Sequence, residues 1–251
     1  MKETLEHWNS RAKLSKSAEE ITHFDTTQRK FEIETLLSYL TPEDVLLDLG
    51  CGNGFSSAYF KEKVKEVVGG DFSEEMIKRA KKEVTGNNIE FVQIDARNFD
   101  LNKKFSKVIT QRCLINILSR EGQKEAIRNI HNHLSDGGFF LMMEGVQDGR
   151  QALNELRIKM ALEELPTVEY NLDFKLDETN NFLDEMFERV EFKTFGNYEF
   201  ITRIVYPRYI TPEEPHYGSK FHEIAYDLIA RMEDRFPDIS KLGLWVLKKK
   251  N

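Results

Sequence analysis

The stretch Val45-Leu46-Leu47-Asp48-Leu49-Gly50-Cys51-Gly52-Asn53-Gly54 decides the fold. Five residues, four of them apolar, run into a loop with glycine at every second position, which is how a buried strand reads when it ends in a tight turn that a ligand can approach. The same rhythm continues downstream. Short apolar runs recur at Val64–Asp71 (VKEVVGGD), Asn88–Asp95 (NIEFVQID), Lys104–Thr110 (KFSKVIT) and Gly137–Glu144 (GGFFLMME), and helix-like stretches separate them. In Phe55–Lys65, Ser73–Glu83 and Gln123–Leu134 the apolar residues fall three or four apart, as in amphipathic helices that cover a sheet. Ser73 before Glu74-Glu75 is an expected N-cap with acidic first-turn residues. Alternating strands and helices imply an α/β fold with a doubly wound, mostly parallel sheet.

Outward from this core, Met1–Leu40 reads as one or two helices with an apolar stripe through Phe31, Ile33, Leu36, Leu37 and Leu40. Beyond Glu144 the periodicity predicts a helix over Gln151–Leu165, a loop over Pro166–Glu178, a helix over Phe182–Val190 and a sixth strand over Glu191–Gly196. LGLWVL, Leu242–Leu247, is the seventh strand. The expected organisation is one domain over residues 1–251. It has a helical N-terminal cap at 1–40, a ligand-binding core at 45–144, and two additions at 145–184 and 198–241 lying as lids over the carboxyl edge of the sheet.

Bulk properties exclude several classes. The chain has 251 residues, 40% hydrophobic and 31% charged, so it can bury a core of its own. Two cysteines, Cys51 and Cys113, are too few for a disulfide framework and lack zinc-site spacing. No apolar run resembles a signal peptide or reaches the roughly 18 residues of a membrane span, so the expected compartment is the cytoplasm. The net charge of −7 repels a phosphate backbone and disfavours nucleic acid as a partner.

In doubly wound sheets ligands sit outside the carboxyl ends of the strands, usually beside the first. A dinucleotide loop, G-x-G-x-x-G, would need its third glycine at position 55, where Phe55 stands. Here the third glycine is Gly54. Asp71 ends the second run and can accept hydrogen bonds from both hydroxyls of a ribose. Asp95-Ala96 ends the third, where a carboxylate can accept an adenine amino proton.

The pattern D-x-G-C-G-x-G at Asp48–Gly54, followed by Asp71 and by Asp95-Ala96, resembles the class I S-adenosylmethionine-dependent methyltransferases, specifically over Val45–Glu144. The resemblance implies a seven-stranded Rossmann-like sheet with S-adenosylmethionine as cofactor. The loop of Asp48, Gly50, Cys51, Gly52, Asn53 and Gly54 would then hold the methionine moiety, and Asp71 the ribose. Phe72 and Met76 would flank the adenine, Asp95 and Ala96 would read its edge, and Gln111 would line the methionine side. His7-Trp8-Asn9-Ser10-Arg11-Ala12 resembles the opening segment that many small-molecule members fold over the cofactor, which implicates Trp8 and Arg11. The Gln111–Asn116 segment and the long insertion resemble, more loosely, bacterial methyltransferases found with surface-polysaccharide genes.

Methyl transfer from a sulfonium chiefly requires alignment of the nucleophile and exclusion of water. An alcohol acceptor would benefit from a general base, and the candidates are Glu144, His216 and His222. Thr110-Gln111-Arg112-Cys113 is neither the Asn/Asp-Pro-Pro-Tyr of adenine and amide methylation nor the Pro-Cys of cytosine methylation. Thr110 stands where catechol-type relatives carry a magnesium-binding aspartate, so a metal-free reaction is expected. His131 and His133, two apart on a helix, do not share a metal. The expected acceptor is a small polar metabolite, a sugar or a phosphorylated compound. Two other classes share parts of the pattern: a nicotinamide or flavin oxidoreductase, and a non-catalytic partner protein that keeps the fold.

Overall fold

The computed structural model describes residues 2–13, 25–210 and 219–250. Seven strands form one sheet: β1 (Val45–Leu49), β2 (Glu66–Asp71), β3 (Ile89–Gln93), β4 (Phe105–Gln111), β5 (Leu134–Gly145), β6 (Phe187–Thr194) and β7 (Leu242–Lys249). Their order is β3-β2-β1-β4-β5-β7-β6. The first five are mutually parallel, whereas β7 runs antiparallel to both of its neighbours. The chain steps outward from β1 to β2 and β3, then returns to place β4 on the other side. That reversal opens a crevice beyond Leu49.

Helices cover both faces. On one side, Leu47, Leu49, Val108, Phe140 and Met142 pack with Ala126, Ile127 and Ile130 of α5 (Arg120–His133). On the other, Leu46, Val67, Ile109, Leu141 and Met143 pack with Ile33 and Leu36 of α2 (Thr26–Leu37) and with Phe60 of α3 (Phe55–Phe60). Strand residues alternate between the two clusters because side chains of a strand point to opposite faces in turn, and both faces are buried. Between β2 and β3 lies α4 (Glu74–Glu83), with the Ser73 hydroxyl accepting the Met76 N–H at 3.1 Å as expected of its cap. At the N-terminus α1 (Lys2–Ala12) lies against α4, where Trp8 and Ala12 pack on Met76.

The region after β5 departs from the sequence reading. Helix α6 spans Gln147–Lys159 rather than 151–165, and α7 spans Leu176–Leu183, starting inside the expected loop and ending just inside the expected helix over 182–190. The later part of the expected helix over 182–190 is instead the start of β6, which begins at Phe187, before the expected Glu191. Its sequence, FERVEFKT, is mostly exposed edge strand, so the apolar alternation that marks a buried strand is missing. After β6 come α8 (Gly196–Phe200), a π-helix over Ile201–Ile210 and α9 (Lys220–Ile229). A short 3₁₀ turn, Pro237–Ile239, then leads to β7.

That turn is locked to α6. A Cβ added at Gly149 would fall 1.7 Å from the backbone carbonyl oxygen of Ser240, so only glycine permits this approach. In an ordinary helix interior Gly→Ala stabilises by about 1 kcal/mol. Gly149→Ala should instead lower the unfolding free energy, by about 1–3 kcal/mol of overpacking. Urea denaturation checks the sign, and a midpoint at or above the wild-type value would mean that α6 does not seat on this turn.

Candidate functional site

A cavity of about 620 Å³ opens at the crevice beyond β1 and extends under α1 and the segment that follows α6. Its floor is the glycine loop. Gly50, Gly52 and Gly54 adopt positive φ of 81°, 56° and 77°, which residues with a Cβ rarely hold. Asp48, Gly50, Cys51 and Gly52 line the cavity. Asn53 and Gly54 do not. The Asn53 amide turns toward Glu83, at 3.4 Å, and Gly54 starts α3 with its Cα against Phe91.

Asp71 fixes the loop. One carboxylate oxygen accepts the Gly52 N–H at 2.9 Å and the other accepts the Ser73 N–H at 2.8 Å. A carboxylate has about four acceptor directions, so both oxygens keep capacity for ligand hydroxyls. Burial pushes the Asp71 carboxyl up to about 6. Asp48, which accepts the Ser57 hydroxyl, is also raised to about 6 by burial, with the neighbouring Asp71 charge adding to the effect. The thiols of Cys51 and Cys113 are pushed up by burial, so neither is a poised nucleophile. Cys113 is half-buried as a residue and lines the cavity with its side chain against Gly50.

Phe72, Met76, Asp95 and Ala96 line the end of the cavity beyond β2 and β3. Arg97 grips Asp95 through Nε, at 2.9 Å from one oxygen, and holds its carboxyl below the usual range. Gln111 lines the opposite side, accepting the Ser56 hydroxyl at 2.8 Å and donating to Glu32 at 2.8 Å. Trp8 also lines the cavity. Arg11 does not; it lies on α1 beside His7.

A clasp closes the top. The Asn116 side-chain oxygen accepts the Trp8 indole N–H at 3.1 Å, while its amide donates to the Tyr170 carbonyl at 3.2 Å and to the Asn171 side chain at 2.8 Å. His7 stacks on Tyr170 with ring centroids 4.1 Å apart. One residue thus ties α1 to the segment after α6.

Two of the three expected general bases, Glu144 and His222, do not line the cavity. Glu144 is fully buried and does not line the cavity. Its oxygens accept the N–H groups of Cys113, Leu114 and Ile115 at 3.1, 3.0 and 3.2 Å. It caps the 3₁₀ turn Leu114–Asn116, although burial raises its carboxyl to about 7. His222 is buried against Tyr206, away from the cavity, with Nδ1 2.9 Å from the Ser219 hydroxyl. His216 lies outside the described residues. Among the described residues no three His, Cys, Asp or Glu side chains come together to hold a metal ion, and no helix is long and apolar enough to cross a membrane.

At the far end, sequence reasoning offered Arg203 for the acceptor wall but missed Arg112, Arg150 and Lys241. Arg112 lines the cavity and donates to both oxygens of the buried Glu32, at 2.8 and 2.6 Å. Arg150 donates to Asp173 at 2.6 Å, and Arg203, on the π-helix, donates to Asp25 at 2.6 Å. Lys241 enters from the residue before β7. Each sits outside the cofactor motif, and no spacing in the sequence marks Arg150 or Lys241.

Comparison with known proteins places the same region. Residues 46–138 match the family described as "Methyltransferase domain". Carboxy-S-adenosyl-L-methionine synthase of Nautilia profundicola is 31% identical over 131 residues, which cover 51% of this chain and 55% of that protein. Cypemycin N-terminal methyltransferase of Streptomyces is 32% identical over 94 residues, covering 37% and 38%. The chain therefore spans about half the length, or less, of these curated relatives. Among solved structures, magnesium protoporphyrin IX methyltransferase of Synechocystis, with bound S-adenosylhomocysteine, aligns at TM-score 0.62 and 13% identity over 98% of this chain and 94% of that one. The N-methyltransferase NodS of Bradyrhizobium japonicum aligns at TM-score 0.59 and 12% identity over 99% of both. At these identities the structures share the fold.

Asp71→Ala should weaken S-adenosylhomocysteine binding by about 1.5–3 kcal/mol, the cost of removing a charged acceptor from two hydroxyls. Since the carboxyl titrates near 6 and binds hydroxyl donors as the anion, wild-type affinity should be full above that pH and fall as pH drops through it. Calorimetry between pH 5 and 8 reads both effects. A flat profile together with an unchanged variant would remove Asp71 from the site.

Proposed function

We propose that this chain is a class I S-adenosylmethionine-dependent methyltransferase that transfers the cofactor's methyl group to an oxygen or nitrogen of a small polar metabolite. The observation that carries this reading is the glycine loop held open by Asp71, with Asp95-Ala96 on the next strand end and one cavity joining all three.

These residues fit the cofactor. The cavity offers close backbone approach at Gly50 and Gly52, a buried carboxylate at Asp71 with acceptor capacity left over, and apolar side chains at Phe72 and Met76. Bound S-adenosylmethionine supplies a methyl group on a positively charged sulfur, and transfer neutralises that charge. In this reading Asp71 takes the ribose hydroxyls, and Phe72 and Met76 flank the adenine. Asp95, turned by Arg97, accepts from the adenine edge. Gln111, fixed between Ser56 and Glu32, lines the methionine side. Catalysis rests on positioning and on keeping water out. The Trp8–Asn116–Asn171 clasp does the latter, since it joins α1 to the segment that roofs the acceptor end. With Glu144 committed to backbone N–H groups, the acceptor's proton leaves to solvent or to a carboxylate lining the cavity, such as Asp173.

A second reading comes from the relatives named carboxy-S-adenosyl-L-methionine synthase: the chain makes a carboxylated form of the cofactor rather than spending its methyl group. Incubation with methyl-labelled S-adenosylmethionine and fractionated small metabolites separates the readings. Label in a new small polar product, with S-adenosylhomocysteine released, is the expected result. Label retained on an adenosyl compound of higher mass supports the second reading. Label in RNA, DNA or protein would sink the acceptor class and leave the cofactor assignment standing. Stabilisation by NADH but not by S-adenosylhomocysteine in a thermal shift would overturn the assignment itself. Asn116→Ala, which cuts both arms of the clasp, should lower transfer about tenfold or more while increasing the hydrolytic loss of cofactor. Steady-state assays test it, and wild-type rates in this variant would show that the clasp does not close the site.

A further inference from the structure

We infer that the acceptor end of the cavity seats an anion, a carboxylate or phosphate carried by the methyl acceptor, on the ammonium group of Lys241. The inference rests on the methyl-transfer reading and names the chemical class of the substrate.

Lys241 lines the cavity with a side chain only 20% exposed. Among the described residues its Nζ makes no hydrogen bond and reaches one carboxylate oxygen, of Glu199, at 3.4 Å. Glu199 is itself divided: it lies 3.7 Å from Arg203 and takes the Gln28 amide at 3.5 Å. An ammonium has three donors and is costly to bury unless they are used. The neighbouring cations are already occupied. Arg112 is gripped by Glu32, Arg150 by Asp173 and Arg203 by Asp25. Arg29 lies over the Phe55 ring at 4.1 Å and lines the same cavity. Arg112, Arg150 and Arg203 each have a carboxylate oxygen at 2.6 Å, whereas the one that Lys241 reaches among the described residues stands at 3.4 Å.

The charges are close enough to be felt. Burial, together with repulsion from Arg203, Arg112 and Arg150, lowers the Lys241 ammonium to about 8 despite the attraction of Glu199. An arriving anion relieves that repulsion and fills the unused donors at once. The ammonium is also placed rather than left to drift. The Lys241 carbonyl accepts the Val146 N–H at 2.9 Å, the preceding Ser240 hydroxyl accepts the Phe195 N–H at 2.7 Å, and Gly149 lets α6 press on the Ser240 carbonyl. Lys241 therefore stands beside the carboxyl end of β5, across the crevice from the adenine end. An anion bound there holds the other end of a small acceptor toward the glycine loop.

The test uses the full chain loaded with S-adenosylhomocysteine and titrated calorimetrically with inorganic phosphate and, separately, with malonate. Wild type should bind at least one of them. Lys241→Met should weaken that binding tenfold or more, Lys241→Arg should restore most of it, and both variants should keep S-adenosylhomocysteine affinity within about twofold. Binding of phosphate alone, or malonate alone, supports the site and fixes which acid the acceptor carries. Failure of wild type to bind either anion, or equal binding by Lys241→Met, overturns the inference. Because the wild-type titration stands by itself, a variant that does not fold leaves the inference open to refutation. Failure to bind S-adenosylhomocysteine is a different result and removes the methyltransferase reading instead.

Discussion

The Asp71 carboxylate is the joint on which the rest depends. Its two oxygens accept N–H groups from the loop after β1 and from the start of α4, so the ends of two neighbouring strands are fixed relative to each other by one side chain. The same bridge leaves Ser73 in position to cap α4, and α4 in turn carries Met76, on which Trp8 of α1 rests. Burying a carboxylate this deeply is costly, and the raised affinity for a proton records that cost. In the proposed complex a ligand with two hydroxyls to donate would repay part of it, so that one residue would serve as both structural bridge and binding group.

From that joint outward the cavity divides into two chemical halves. The half above β1, β2 and β3 is made of backbone, apolar side chains and carboxylates, matched to a nucleoside. The other half, bounded by the segment after α6, the π-helix and the residue before β7, is lined by Arg150 and Arg203, paired with Asp173 and Asp25, and by Lys241. π-helical geometry is uncommon and concentrates at functional sites because it turns a side chain out of the usual register. Here it delivers Arg203 to the cavity wall, where Asp25 at the start of α2 holds it. The Asn116 clasp spans the two halves, tying α1 on one side to the segment after α6 on the other.

The core was legible because its signals are local. Alternate glycines force one kind of turn, two-faced burial writes apolar runs, and an acidic residue at a strand end lies where a ligand sits; Asp48, Asp71 and Asp95 could therefore be placed from the sequence. Glu144 was misread for the same reason. It too ends a strand, but its side chain turns inward to the bare N–H groups of the 3₁₀ turn, a demand made by backbone far away in sequence. The first half of β6 was misread as helix because an exposed edge strand with charges on it carries no burial pattern. Lys241, Arg150 and Arg203 belong to separate segments and converge only through the packing of α6 and the π-helix around the end of the sheet. No spacing in the sequence encodes that convergence.

The central claim is that the loop from Asp48 to Gly54 and the Asp71 carboxylate form one nucleoside-binding unit. A crystal structure of the protein with S-adenosylhomocysteine tests it most directly. The account predicts ribose hydroxyls within hydrogen-bonding distance of Asp71, the amino-acid end over Gly50 and Gly52, and the sulfur turned toward the half that contains Lys241. Ligand bound elsewhere, or bound in the crevice with Asp71 still engaged only by Gly52 and Ser73, would contradict it.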